Sequence, residues 1–232
     1  MKKILVVGLA LISHPVLAAE TSVLEASKHR DFARLNPELG VSQLHYQETG
    51  VPNHHQTSLY GRMQFVGGVA QTPLYFESNL FGSLASLSRN QTQNARTWGF
   101  DALMNIDATS PHTDWLAHFG LGYGHRSMRV TDSAFGYNNL NGPVLQARVG
   151  YRTSTGQRFW IGHKSLFSLS VSSTYSMINS LTYDFSNPTA AAPFVSLSWQ
   201  TTGITLVSTE AGNAGRFSVR ENSLALSLGH SI

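Results

Sequence analysis

The chain has no cysteine, few charges and no long apolar run, and each shortage closes off a class of protein. Zero cysteines in 232 residues exclude disulfide staples and thiolate metal sites. Beyond the first dozen residues every apolar stretch is interrupted by polar residues within a few positions, so no segment reads as a membrane-spanning helix. Lys and Arg total 16 against 13 Asp and Glu, and no basic cluster follows Lys2 and Lys3. A surface that tracks nucleic-acid phosphates needs such a cluster, so no nucleic-acid partner is expected. The phosphate loop, the His-Glu-x-x-His zinc motif, the EF-hand loop and the Gly-x-Ser-x-Gly elbow are also absent, and no cofactor is expected.

What is present begins with an export signal. Lys2 and Lys3, an apolar run from Ile4 to Ile12, and the small residues Val16 and Ala18 before Ala19 follow the order of a secretory signal peptide. The predicted signal spans residues 1–18. Its removal takes both lysines and leaves a formal charge near +1. Residues 19–39 read as a short helix or a flexible segment, ended near Pro37.

From Gly40 onward the apolar residues recur with period two, the spacing of strands with two unlike faces. Ten strands are predicted, with eight or twelve as alternatives: 40–48, 58–70, 73–87, 96–108, 112–129, 143–153, 157–173, 193–200, 204–209 and 221–232. The clearest is 96–108, where Trp98, Phe100, Ala102, Met104 and Ile106 alternate with Gly99, Asp101, Asn105 and Asp107. Residues 174–192 read as a loop, with Leu181-Thr-Tyr-Asp-Phe185 as an alternative strand extension, and Thr201-Thr-Gly203 as a turn. On this assignment long and short connections alternate along the chain, as in barrels with long external loops and short periplasmic turns.

The last stretch, Glu221–Ile232, sets Leu224, Leu226 and Leu228 on one face and Ser223, Ala225 and Ser227 on the other. It resembles the C-terminal assembly signal of small Gram-negative outer-membrane β-barrel proteins, with Ile232 where that class usually ends on an aromatic residue. The resemblance implies an all-β, antiparallel transmembrane barrel over residues 40–232 in the outer membrane of a Gram-negative bacterium. It also implies contact with outer-membrane lipids and lipopolysaccharide, and insertion by the outer-membrane assembly machinery. The oligomeric state stays open. A soluble β-sandwich would show the same alternation with its apolar faces turned inward.

In lipid the apolar faces turn outward, which exposes Trp98, Phe100, Trp115, Phe119, Tyr123, Tyr151, Phe159 and Trp199. The opposite phase carries Arg62, Glu77, Asp101, Asp107, His118, Arg126, Arg148, Arg152, Arg158 and Lys164. Charges removed from water need partners, so these residues are expected to pair and fill the lumen. That expectation favours a structural, adhesive or limited-permeability role. The alternative is an outer-membrane lipid-modifying enzyme, a lipid A or phospholipid acyl hydrolase or acyltransferase with a His-based site, as the small barrels of this class include. Its candidate residues are His118 with Asp101 in the lumen, His125 and Ser127 on the outward phase, and His163 with Ser165. The last two, in Ile161-Gly-His-Lys-Ser165, resemble a lipase-like His-x-Ser arrangement and share the lipid-facing phase. His54 and His55, in a predicted external loop beside His45, lack a carboxylate at ligand spacing, so no metal site is expected.

Overall fold

A computed structural model describes residues 33–48, 51–69, 72–88, 95–110, 112–130, 138–169, 175–185, 194–207 and 216–231. The predicted signal peptide, residues 19–32 and Ile232 lie outside the described residues. The strands are β1 (Ala33–Glu48), β2 (Val51–Gly68), β3 (Leu74–Ser86), β4 (Ala95–Asp107) and β5 (Trp115–Val130). They continue with β6 (Asn138–Arg152), β7 (Arg158–Phe167), β8 (Tyr175–Asp184), β9 (Phe194–Val207) and β10 (Arg216–Ser231). Each pairs antiparallel with its sequence neighbours, and β10 pairs with β1 to close a ten-stranded barrel. Closure leaves no strand edge whose backbone groups would face hydrocarbon unpaired.

The faces sort as a membrane barrel requires. Trp115, Phe119, Leu121, Tyr151, Phe159, Leu224, Leu226 and Leu228 are exposed on the outer wall. Glu77, Asp101, Asn105 and Arg126 are buried inside. A sandwich would invert this. Because the side-chain period is two, one register fixes the facing of every residue on a strand.

Four features depart from the sequence-based expectation. β1 begins at Ala33, so residues 33–39 form strand rather than helix or flexible leader. The period-two alternation runs back through Pro37, with Leu35 and Leu39 outward and Asn36 and Glu38 buried in the lumen. Residues 174–192, expected as a loop, contain β8, while 193–200 and 204–209 are a single strand, β9. The two differences offset each other in the strand count. Connection lengths do not alternate strongly: 49–50, 87–94, 131–137, 168–174 and 208–215 at one end, 69–73, 108–114, 153–157 and 185–193 at the other. The strands themselves run past the apolar belt and absorb the expected external loops. His54 and His55 accordingly lie on β2, where His55 packs edge-on against His45 at 4.1 Å.

The fourth departure concerns the end of the barrel away from the chain termini. Leu44 and Tyr46 point into the lumen there, and Gln43, His45 and Gln47 point out. The polarity of the wall reverses where the strands leave the belt. Arginine in place of Leu226, mid-belt on β10, is expected to lower stability by about 2–4 kcal/mol, read as a shift in urea midpoint in lipid vesicles. Gln47→Arg, beyond the belt, is expected to leave the midpoint unchanged.

Candidate functional site

The lumen is filled in layers. Farthest from the termini lies an apolar layer that includes Leu44, Tyr46, Met128, Leu140, Val144 and Leu166. Beneath it sits the charge network. Asp101 accepts from Arg126 at 2.6 Å and from Lys164 at 2.7 Å. Glu77 accepts from Arg148 at 2.9 Å, with Lys164 at 3.9 Å. Asn79 and Gln146 donate to the same Glu77 carboxylate, and Gln146 also donates to Asn105. Arg62 pairs with Glu38. The predicted network is therefore formed by Arg62, Glu77, Asp101, Arg126, Arg148 and Lys164.

Towards the termini the lumen opens into a cavity of about 460 Å³. Arg152, Arg158 and Asp107 line this cavity together with Arg62, Glu77 and Arg148, beside Arg34 and Asp184. Three luminal acids escaped the sequence reading. Glu38 lay in the supposed leader, Asp184 in the supposed loop, and Glu221 at the first position of the last predicted strand. Glu221 accepts from the Thr97 hydroxyl at 2.9 Å.

The luminal pair of His118 with Asp101 does not form. Register sets His118 opposite Asp107 and Asp101 opposite Gly124. His118 Nε2 lies 3.6 Å from the Asp107 carboxylate, its Nδ1 is 2.9 Å from the Tyr75 hydroxyl, and its ring rests against Trp160.

The outer wall holds a different arrangement. His163 and Ser165, two residues apart on β7, share the outward face, and register sets Asn179 of β8 directly opposite His163. The Ser165 hydroxyl is 2.8 Å from His163 Nε2, and His163 Nδ1 is 2.8 Å from Asn179 Oδ1. An amide oxygen only accepts, so the imidazole proton belongs on Nδ1 and Nε2 accepts from the serine. Asn179 thus fixes the tautomer that leaves Nε2 basic towards Ser165. Along the same outward rows stand Phe159, Ile161 and Phe167 on β7, with Tyr175 and Met177 on β8, all exposed. On its other side Asn179 stands opposite Thr201 of β9, whose hydroxyl donates to Asn222 of β10 at 2.9 Å, so the polar row continues along the outer wall.

Ser165 lies two residues short of Phe167, where β7 ends away from the termini. Asn179 was not among the sequence candidates because its stretch was read as loop. A polar residue sixteen positions after a His-x-Ser pair, flanked by Tyr, Met and Leu of one phase, is the signal that would have found it.

His125 and Ser127 also occupy the outward phase, on β5. His125 Nδ1 is hydrogen-bonded to Asn141 Oδ1, and its ring stands 4.5 Å from Trp98 and 5.7 Å from Phe100. Ser127 is 1 % exposed, and its hydroxyl has no hydrogen-bond partner among the described residues. No group of three or more His, Asp or Glu able to hold a metal occurs among the described residues.

The luminal network makes a stability prediction. Asp101→Asn leaves Arg126 and Lys164 without their shared carboxylate and is expected to cost about 3–5 kcal/mol, measured by urea unfolding in vesicles. Adding Lys164→Met to it is expected to restore part of the loss.

No family model matches the chain, and no curated protein matches it. Solved structures do. The outer membrane protease OmpT from Escherichia coli superposes with a TM-score of 0.54 at 11 % identity, over 88 % of this chain and 97 % of that one. The attachment invasion locus protein Ail of Yersinia pestis follows at 0.39 and 6 % identity, over 85 % of this chain and 98 % of that one. Neisserial surface protein A gives 0.39 and 9 % identity, over 84 % and 96 %. At these identities the likeness is one of fold. With its closed ten-stranded wall and outward apolar belt, the chain is a transmembrane β-barrel with the fold of that outer-membrane protease.

Proposed function

We propose that this barrel is an outer-membrane acyl hydrolase that works on membrane lipids from its outer wall, with Ser165 as nucleophile, His163 as general base and Asn179 as the residue that orients the base. The observation that carries the proposal is the continuous relay Ser165–His163–Asn179, at 2.8 Å and 2.8 Å, on a surface that faces lipid. Uncompensated polar groups are costly in hydrocarbon, and the relay satisfies its own groups beside the exposed Phe167, Tyr175 and Met177. A serine is a poor nucleophile until a neighbouring base takes its proton.

The chemistry follows from the geometry. Ser165 Oγ adds to the carbonyl carbon of an acyl ester as its proton passes to His163 Nε2. The imidazolium then protonates the departing alkoxide, leaving an acyl-serine. Water, deprotonated by the same Nε2, releases the fatty acid and restores the serine. If a lipid hydroxyl replaces water, the same intermediate gives acyl transfer. Asn179 is neutral, so it holds the ring and its tautomer but adds less to imidazolium stabilisation than a carboxylate would. With both termini on the periplasmic side, Ser165 falls in the outer half of the wall, which favours esters of the outer leaflet, those of lipid A and of phospholipids.

The packed lumen favours a barrel that serves as scaffold. A purely structural or adhesive role would account for that packing and leave the outward relay without a purpose.

Purified protein in vesicles of phosphatidylethanolamine and phosphatidylglycerol, or in vesicles containing lipopolysaccharide, is expected to release fatty acid. Ser165→Ala and His163→Ala are each expected to lower the rate by about 10³-fold or more, and Asn179→Ala by less, since it orients rather than reacts. Absence of release from both vesicle types, or release untouched by Ser165→Ala, refutes the proposal.

A further inference from the structure

The outer wall carries the relay motif twice. Gly162-His163-Lys164-Ser165-Leu166 on β7 is matched by Gly124-His125-Arg126-Ser127-Met128 on β5. Each is followed, sixteen residues after its histidine, by an asparagine: Asn179 and Asn141. The match extends to three dimensions. Each asparagine sits on the next strand, directly opposite its histidine in the register, and each histidine bonds it through Nδ1. Each motif turns its histidine and serine outward and its central cation inward. Both cations bind one acid: Arg126 and Lys164 converge on Asp101 from the two hairpins. Gly124 permits this approach, since a side chain there would meet the Asp101 carboxylate at 2.7 Å.

The two copies differ in one respect. At β7 the serine and histidine are joined and open to the wall's surface. At β5 the Ser127 hydroxyl and His125 Nε2 are both buried and both without a hydrogen-bond partner among the described residues. Trp98, opposite Ser127 in the register, stands with its ring against His125. Buried polar groups in folded proteins almost always have partners. The Ser127 and His125 atoms are two of fifteen unpartnered ones among the described residues; what sets them apart is the spacing that forms a 2.8 Å bond in the sister motif, which marks a site held in a closed arrangement.

We infer that His125, Ser127 and Asn141 form a second acyl-ester site of the same chemistry, kept closed by Trp98 and opened when that ring swings away from His125. This rests on the proposed hydrolase reading and extends it to a second nucleophile. When the ring moves, His125 Nε2 takes the Ser127 proton, Ser127 Oγ adds to the lipid ester carbonyl, and the alkoxide leaves with that proton. Water then cleaves the acyl-serine to fatty acid. The two sites lie on hairpins joined through Asp101, so a lipid with several acyl chains is the substrate class that would use both.

The test is serine labelling by a long-chain alkyl fluorophosphonate in vesicles, with the modified residue mapped by mass spectrometry. The proteins are wild type, Ser165→Ala, Ser165→Ala with Trp98→Ala, and the last with Ser127→Ala added. Heat-dependent gel mobility verifies that each is folded, and Trp98→Phe replaces Trp98→Ala if that variant does not fold. Label is expected on Ser127 in Ser165→Ala, and faster once Trp98 is removed. A cover open about a tenth of the time predicts about a tenfold gain. The Ser127→Ala protein should take no label. Label on Ser165 of the wild type but never on Ser127 overturns the second site and leaves the first standing. Label on neither serine overturns both.

Discussion

Hydrocarbon offers no hydrogen bonds, and the rest of this structure follows from that. Backbone groups must be satisfied within the sheet, so the sheet closes, β10 onto β1. Outward side chains must be apolar wherever lipid touches them, so Leu224, Leu226 and Leu228 line the last strand while Ser223, Ala225 and Ser227 face in. Where strands pass beyond lipid the rule lapses, and Gln43 and His45 face out while Leu44 and Tyr46 face in. On the outer wall His163, Ser165 and Asn179 satisfy one another, and Thr201 and Asn222 pair beside them.

Inside, the same shortage of water makes charge pairing obligatory. Asp101 occupies a central position, receiving one cation from β5 and another from β7. The cations are the middle residues of the two His-x-Ser motifs. A luminal acid therefore ties together two strands whose opposite faces carry the His-x-Ser motifs. Period-two geometry accounts for the division: the luminal cation alternates with the outward His and Ser along one strand. The apolar layer above the network closes the outer half of the lumen among the described residues, and the cavity opens only towards the termini.

The fold was legible in the sequence where one face was consistently apolar. β4 and β10 were placed within a few residues, and the outward aromatics Trp98, Trp115 and Tyr151 were assigned to the correct side. Only residues 181–185 of β8 carry a strand signal, because Ile178 faces the lumen and Asn179 faces out, which breaks the alternation at its centre. β9 was divided because Thr201 and Gly203, outward near the edge of the belt, mimic a turn. β1 was begun late because Pro37 read as a helix end. The site suffered from the first of these errors. His163 and Ser165 were visible as a motif on one face, but their third member lay in a stretch taken for loop, and only the β7–β8 register sets it opposite His163. A polar residue on the outward phase breaks the pattern by which strands are recognised, which is why Asn179 is hard to read from the sequence.

The central claim is that the outward relay is retained for chemistry and not for the fold. Replacing both partners of a satisfied polar pair by apolar groups of similar shape is close to neutral or stabilising, most of all on a wall that faces lipid. The decisive measurement is the urea unfolding midpoint, in lipid vesicles, of the His163→Leu and Asn179→Leu double variant. A midpoint equal to or above that of the wild type is the predicted result. A midpoint lowered by as much as that of a broken luminal pair would make the relay a structural element and contradict the account.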